Sequence, residues 1–138
     1  MADGKPHKFG LPCWMGIQAT DVERASKFYA TVFNWTFKPA TTEYPQDKLQ
    51  MFEFRPDLEL SGGIQKGPDP TGVMKPGPGG ICIYWLVEDI DAITSVIEHA
   101  GGKILSDVQA EGKSGRYRLF GDTEGNVGGV YQFLGANT

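Results

Sequence analysis

Glu53 in MFEFR, Tyr84 in IYWL and Tyr131 in VYQF are side chains that could move a proton, and Arg116 and Arg118 in GRYRLF could hold an oxyanion. A carboxylate or phenol serves as general base or acid when its surroundings bring its pKa toward the working pH. Glu53 and Tyr84 are therefore the candidate catalytic pair. Two arginines separated by one residue share a strand face, where planar guanidinium groups can bind a carboxylate or enolate oxygen. Each has a plainer reading: Glu53 as a solvated edge-strand residue, and the arginines as surface charges. Cys82 would be a nucleophile only if its thiolate were favoured, and no histidine stands near it in sequence. An inert thiol is the simpler reading.

The two histidines add little. His7 sits in a tail-like stretch. His99 closes a helical pattern, where an imidazole interacts favourably with the helix C-terminus. Neither supports a Ser-His-Asp arrangement. The glycine-rich run 61–80 lacks the strand and helix that a dinucleotide-binding GxGxxG needs, and GPGPGG lacks the lysine and hydroxyl of a phosphate-binding loop. GDTEGN reads as a turn in which Asp122 and Asn126 bond backbone and Gly125 takes a positive φ.

The elements that must position these groups form a repeat. Aligning Asp21 with Asp89 sets Val22, Ala25, Phe28, Tyr29 and Val32 against Ile90, Ile93, Val96, Ile97 and Ala100. Both sets have the spacing of a helix with one buried face, and each aspartate stands where an N-cap accepts from the first turn. Gly101-Gly102 is a helix stop. Strand patterns precede the helices, LPCWMGIQAT and ICIYWLVE. Three shorter ones follow each: WTFKPA, LQMFEF and GGIQ, then KILSDV, RYRLFG and NVGGVYQF. The expectation is an α+β chain of two βαβββ modules, about 11–65 and 81–134, joined by a linker over 66–80 within a single domain 1–138. One module alone leaves a sheet face bare, so two must combine.

TDVERASKFYATVFNW, VEDID with AGGKIL, and GRYRLFGDTEGNVGGVYQ resemble the vicinal oxygen chelate superfamily, which includes glyoxalase I, extradiol dioxygenases and the fosfomycin- and bleomycin-resistance proteins. The resemblance covers residues 10–134, with Thr123 standing where that family usually has proline. It implies a cup-shaped mixed sheet with helices outside and a ligand cleft inside, and a homodimer whose modules pair within or between chains. Strand alternation sorts the faces. Met15, Ile17 and Ala19 suit a helix, leaving Trp14, Gly16, Gln18 and Thr20 to the cleft; Ile83, Trp85 and Val87 match the first set, and Cys82, Tyr84 and Leu86 the second. Tyr131 shares the Gly129 face and points inward. Glu53 lies in the cleft if Phe52 and Phe54 pack beneath the helices. The candidate substrate-binding set is thus Trp14, Gln18, Cys82, Arg116, Arg118 and Tyr131. The bland alternative makes Trp14 and Tyr84 core aromatics.

Metal-dependent members of the family carry His, Gln or Glu at positions that fall here on Trp14, Cys82 and Gly129, with a fourth in or near SGGI, a stretch that holds no acidic side chain. An indole, one thiol and a bare backbone do not make the three-donor site that a catalytic divalent ion needs. No metal and no cofactor are expected. What remains is a metal-independent lyase, isomerase or cyclase acting on an oxygen-rich or aromatic metabolite; the alternative is a protein that only binds or sequesters a small molecule.

Composition narrows the partners. The net charge of −4 argues against nucleic acid, and no apolar run approaches a membrane span. With two cysteines and no secretory pattern, free thiols in the cytoplasm are expected.

Overall fold

A computed structural model describes residues 14–54, 60–68, 71, 73–79 and 81–135. The chain runs β1 (Trp14–Ala19), α1 (Val22–Phe33), β2 (Leu49–Glu53), β3 (Ser61–Lys66), β4 (Tyr84–Leu86), α2 (Ile90–His99), β5 (Lys103–Ile104), β6 (Gln109–Glu111), β7 (Gly115–Gly121) and β8 (Val127–Phe133). The first sheet has the order β1-β3-β2, with Phe37 bridged to Phe52 beyond β2; the second has the order β4-β8-β7-β5, with β6 also on β7. In both, the leading strand lies parallel to the last and the remaining pairs are antiparallel. The repeat read from the helices is a repeat of sheet topology, and the α+β class stands, with three strands in the first unit and five in the second.

The helices start as their sequence dictates. The Asp21 carboxylate accepts from the Arg24 N–H, and Asp89 from those of Asp91 and Ala92, occupying donors that a first turn leaves free. Asn34 ends α1 at φ 60°, and Gly101 follows α2 at φ 96°. The expected stripe of α1 is buried in full, together with Ser26. On α2 only Ile90 and Ile97 are buried, with Ile93, Val96 and Ala100 half-covered.

Two expected strands are nearly absent. WTFKPA contributes a single bridge at Phe37, and Pro39 can donate no ladder bond two residues on. KILSDV gives the two residues of β5, because the Ser106 hydroxyl takes the Leu119 N–H that the next ladder position would use. The hairpin strand β6 had no counterpart among the sequence patterns.

The helix-side faces of the two sheets share one core. Trp35 stacks on Phe52 of the first sheet at 4.3 Å between centroids and meets Trp85 of the second edge-on at 5.2 Å. Phe54 and Trp85 lie 6.1 Å apart, and Phe28 of α1 stacks on Phe120 of β7 at 6.1 Å. With their helix-side faces turned to this common interior, the opposite face of each sheet is turned outward.

A polar latch fastens the units at the β7–β8 turn. Glu124 accepts from the Thr20 and Asp21 N–H groups, from the Arg24 guanidinium at 2.7 and 2.9 Å, and from the Thr123 hydroxyl. Those donors, Arg24 foremost, overcome desolvation and hold its carboxyl at about 2. Beside it, buried Asp122 accepts from the Tyr29 hydroxyl, the Asn126 side chain and two backbone N–H groups. Burial nevertheless pushes the Asp122 carboxyl above its usual value, and pushes the Tyr29 phenol well up. Asn126 also donates to the Gln18 carbonyl. Gly125 has φ 86°, as the turn reading requires.

Candidate functional site

Strand parity in β1 separates a buried set, Met15, Ile17 and Ala19, from Trp14, which is 52% exposed on the outward face. Register places Gly16 opposite Gly63 on β3. The indole rests over this glycine pair: a Cβ on Gly63 would come within 3.1 Å of Trp14 Cζ2 and 2.7 Å of Leu49 Cδ1. Leu49 and Met51 of β2 flank the ring, and a hollow of about 570 Å³ opens over them, bordered by Tyr44, Lys48, Gln65 and Lys66. Glu53 has the same parity as Met51, opposite buried Phe52, and lies 3.5 Å from Lys38 Nζ.

The outward face of the second sheet is built the same way. Tyr84 is paired with Gly129, and its ring lies over that glycine so closely that a Cβ there would collide with it. The Tyr131 ring lies over Gly115, with its hydroxyl bonded to Glu111 on β6. Tyr117 meets Tyr84 edge-on at 5.7 Å, and Phe133 meets Tyr131 at 5.3 Å. Desolvation, with Cys82 and Tyr117 alongside, raises the Tyr84 phenol above its ordinary value, and the bond to Glu111 raises that of Tyr131.

Other sequence candidates fall elsewhere. Arg116 and Arg118 share the parity of fully buried Phe120, so they lie on the helix side and not on the outward face. Arg116 donates to Gln132 Oε1 and lies 3.5 Å from Asp91; Arg118 donates to Thr94 Oγ1 and the Ser106 carbonyl. They fasten α2 to its sheet. Gln18 is buried at 7% exposure, with Oε1 unpartnered among the described residues, and borders a cavity of about 160 Å³ between β1 and β8 beneath Lys75 and Gly77. Cys82 is half-buried, its thiol 3.8 Å from the Ile83 carbonyl, and desolvation raises its pKa. His99 is exposed at the end of α2, while His7 and Cys13 lie outside the described residues.

A divalent metal does not fit the three family positions. Trp14 offers an indole with no lone pair to give, Cys82 a thiol held protonated, and Gly129 a backbone covered by the Tyr84 ring. Among the described residues no three His, Cys, Asp or Glu side chains converge on a point. No helix among them is long and apolar enough to cross a membrane.

What parity reasoning missed is the seating of the rings. Trp14, Tyr84 and Tyr131 each reach over a glycine of a neighbouring strand, Tyr84 with its ring, Trp14 with the Cζ2 edge and Tyr131 with its hydroxyl end. The cue in the sequence was glycine at 63, 115 and 129, readable only once register is known. Gly63→Ala is expected to displace Trp14 and Leu49, and to weaken binding of a planar aromatic probe by about two- to tenfold, since an aromatic contact of this kind is worth roughly 0.5–1.5 kcal/mol. Thermal melting should change little, because both displaced side chains face solvent; a fluorescence titration beside a melt tests this.

The family model described as Glyoxalase/Bleomycin resistance protein/Dioxygenase superfamily matches residues 13–127. A Glyoxylase-like domain-containing protein of Didymella fabae is 37% identical over 113 residues, which are 80% of this chain and 84% of that protein. Further relatives at 26% identity are longer, and the chain spans about half of them, 47% of their length. Among solved structures, a glyoxalase-related enzyme from Fulvimarina pelagi has TM-score 0.70 at 16% identity, covering 93% of this chain and 94% of that one. TnmS3, an antibiotic binding protein from Streptomyces sp. CB03234, has TM-score 0.66 at 19% identity, covering 93% and 99%. These structural likenesses carry the fold, and the family match carries membership: the chain belongs to the Glyoxalase/Bleomycin resistance protein/Dioxygenase superfamily.

Proposed function

We propose that this protein binds a planar, largely apolar small molecule between the outward face of the first sheet of one chain and that of the second sheet of another, in a homodimer. The observation that carries this reading is the trio of aromatic rings laid over glycines, Trp14 on Gly63, Tyr84 on Gly129 and Tyr131 on Gly115. Rings seated on a rigid sheet, those of Trp14 and Tyr84 exposed and that of Tyr131 half-buried, offer stacking area at low entropic cost. Because both helix-side faces turn into one core, the two outward faces of a single chain diverge, and a second copy is what can close a cleft over them. Exposed Leu86 and Phe133, at 68% and 64%, supply apolar surface for that contact. A neighbour in fold, TnmS3, is described as antibiotic binding.

Binding is favoured over turnover by the state of the titratable groups. Tyr84 and Cys82 are both raised, which keeps them protonated near neutrality and unsuited to act as base or nucleophile. Glu53 is engaged by Lys38 at 3.5 Å. A metal-independent lyase or isomerase is the second reading, and the Glu111–Tyr131 pair favours it, since a carboxylate holding a phenol can relay a proton. The thiol of Cys82 fits a reducing compartment such as the cytoplasm, and the acidic chain does not suit nucleic acid.

The test joins light scattering with a fluorescence titration of 9-hydroxymethylanthracene, a neutral planar probe. A dimer that binds the probe saturably, and about two- to tenfold more weakly as Trp14→Ala, is expected. A monomer, or affinity indifferent to Trp14, overturns the reading. Chemical change in the bound probe would transfer the case to the enzyme.

A further inference from the structure

We propose that the cavity between the two units binds a small neutral molecule, a single ring carrying a hydroxyl or N–H group, at a site separate from the outward cleft and independent of it. The space, about 160 Å³, lies along the edge of β1 away from β3, between that strand and the second unit. Met15 and Ile17 line it from the first unit, Ile83 and Trp85 from the second, and Lys75 and Gly77 roof it. An apolar hollow of about 150 Å³ is large enough to hold benzene. Trp14, Tyr84 and Tyr131 are not among the described residues that border it.

The roof is fastened to the walls. The Gly77 N–H donates to Asn126 Oδ1 at 2.8 Å, and Asn126 Nδ2 donates to the Gln18 carbonyl at 2.7 Å. One side chain thus ties the linker, the last hairpin and the first strand around the same space.

Gln18 supplies the polar chemistry. It is 7% exposed, and its Oε1 has no hydrogen-bond partner among the described residues. A buried acceptor left unpaired is costly, and such atoms in folded proteins nearly always find a donor. Backbone closes over this oxygen on one side, since a Cβ on Gly67 would come within 2.8 Å of it. The Gln18 side chain also borders the cavity, and its last torsion is soft, so the amide can turn its oxygen to a donor held there. Trp85 Nε1 lies on the wall from the second unit, beside Gly128, where a Cβ would stand 3.4 Å from it. Of the described residues around the space only Lys75 is charged, and it is exposed at the roof, so a neutral guest suits the interior.

The experiment is an NMR titration of the full chain with phenol and with toluene, which are nearly the same in shape, following the indole N–H signals. Both probes should move the Trp85 signal saturably, with affinities that Trp14→Ala leaves unchanged. In Gln18→Leu the ratio of phenol to toluene affinity should fall about two- to tenfold, the worth of one hydrogen bond. Toluene affinity should hold in that variant, so that a folding defect is not mistaken for the lost bond. If neither probe moves Trp85, the cavity holds water alone and the inference falls. A Trp85 response that disappears in Trp14→Ala belongs to the outward cleft, and it overturns the separate site while planar binding stands. A ratio unchanged in Gln18→Leu overturns the assigned chemistry.

Discussion

Glu124→Gln is expected to destabilise the protein by about 2–3 kcal/mol at pH 7, and by almost nothing near pH 2. The neutral amide keeps one acceptor for the Thr20 and Asp21 N–H groups. Its NH₂, however, would sit where Oε2 now accepts from Arg24 Nε and the Thr123 hydroxyl, setting donor against donor. The size follows from linkage: a carboxyl held at about 2 in the folded chain, against an ordinary 4.5, stores roughly 1.4 kcal/mol per unit. The lower end of the range applies because half of the Arg24 side chain is in solvent. As the folded value is the depressed one, this stability is complete above about pH 5 and lost as pH falls toward 2. Asp122 works in the opposite sense: its raised carboxyl costs stability when ionised and returns it on protonation, blunting the acid loss. Urea denaturation of both proteins at pH 7, 4 and 2.5 tests the prediction. Parallel pH profiles would refute it, whereas convergence in acid is the expected signature.

Phe120→Ala should cost about 3–5 kcal/mol, a large share of the 5–15 kcal/mol that stabilises an ordinary domain. The ring is fully buried on the helix side of β7, stacked on Phe28 at 6.1 Å and close to Phe33 at 6.0 Å, both from the other unit. Gly128 lies directly under it, leaving no side chain to fill the void. Since the lost contacts cross between the units, the whole chain should still unfold in one transition, at lower denaturant and with similar slope. Far-ultraviolet and tryptophan signals that separate would instead mean two independently stable halves. Glu98→Ala, at an exposed position of α2, is the control, with a change of about 0.5 kcal/mol or less.

The helices were legible in the sequence because each carries its own proof: a capping aspartate, a periodic stripe and a stop. The leading strand β1 was legible from alternation, since Met15, Ile17 and Ala19 are apolar without exception. The face of β7 was not. GRYRLF alternates two arginines with Tyr117 and Leu119, and a rule sending charge toward a ligand chooses the wrong side. Phe120 carries the decisive information, because it has the arginines' parity and is the residue that must be buried. Glu53 depended on where Phe52 went, and Phe52 goes beneath α1. The latch escaped notice because Arg24 and Glu124 look like ordinary surface charges until the fold brings them to 2.7 Å.

That latch spans most of the polypeptide, tying the start of α1 to a turn some hundred positions downstream, Arg24 to Glu124. During synthesis the first unit must therefore wait, its Phe28, Tyr29 and Phe33 bare of Phe120 and Trp85, until the last hairpin leaves the ribosome. At roughly 5–20 residues per second the wait lasts several seconds, longer than hydrophobic surfaces need to find one another. Nascent chains held short of residue 120 should accordingly recruit holding chaperones, and release them once the final turn has formed.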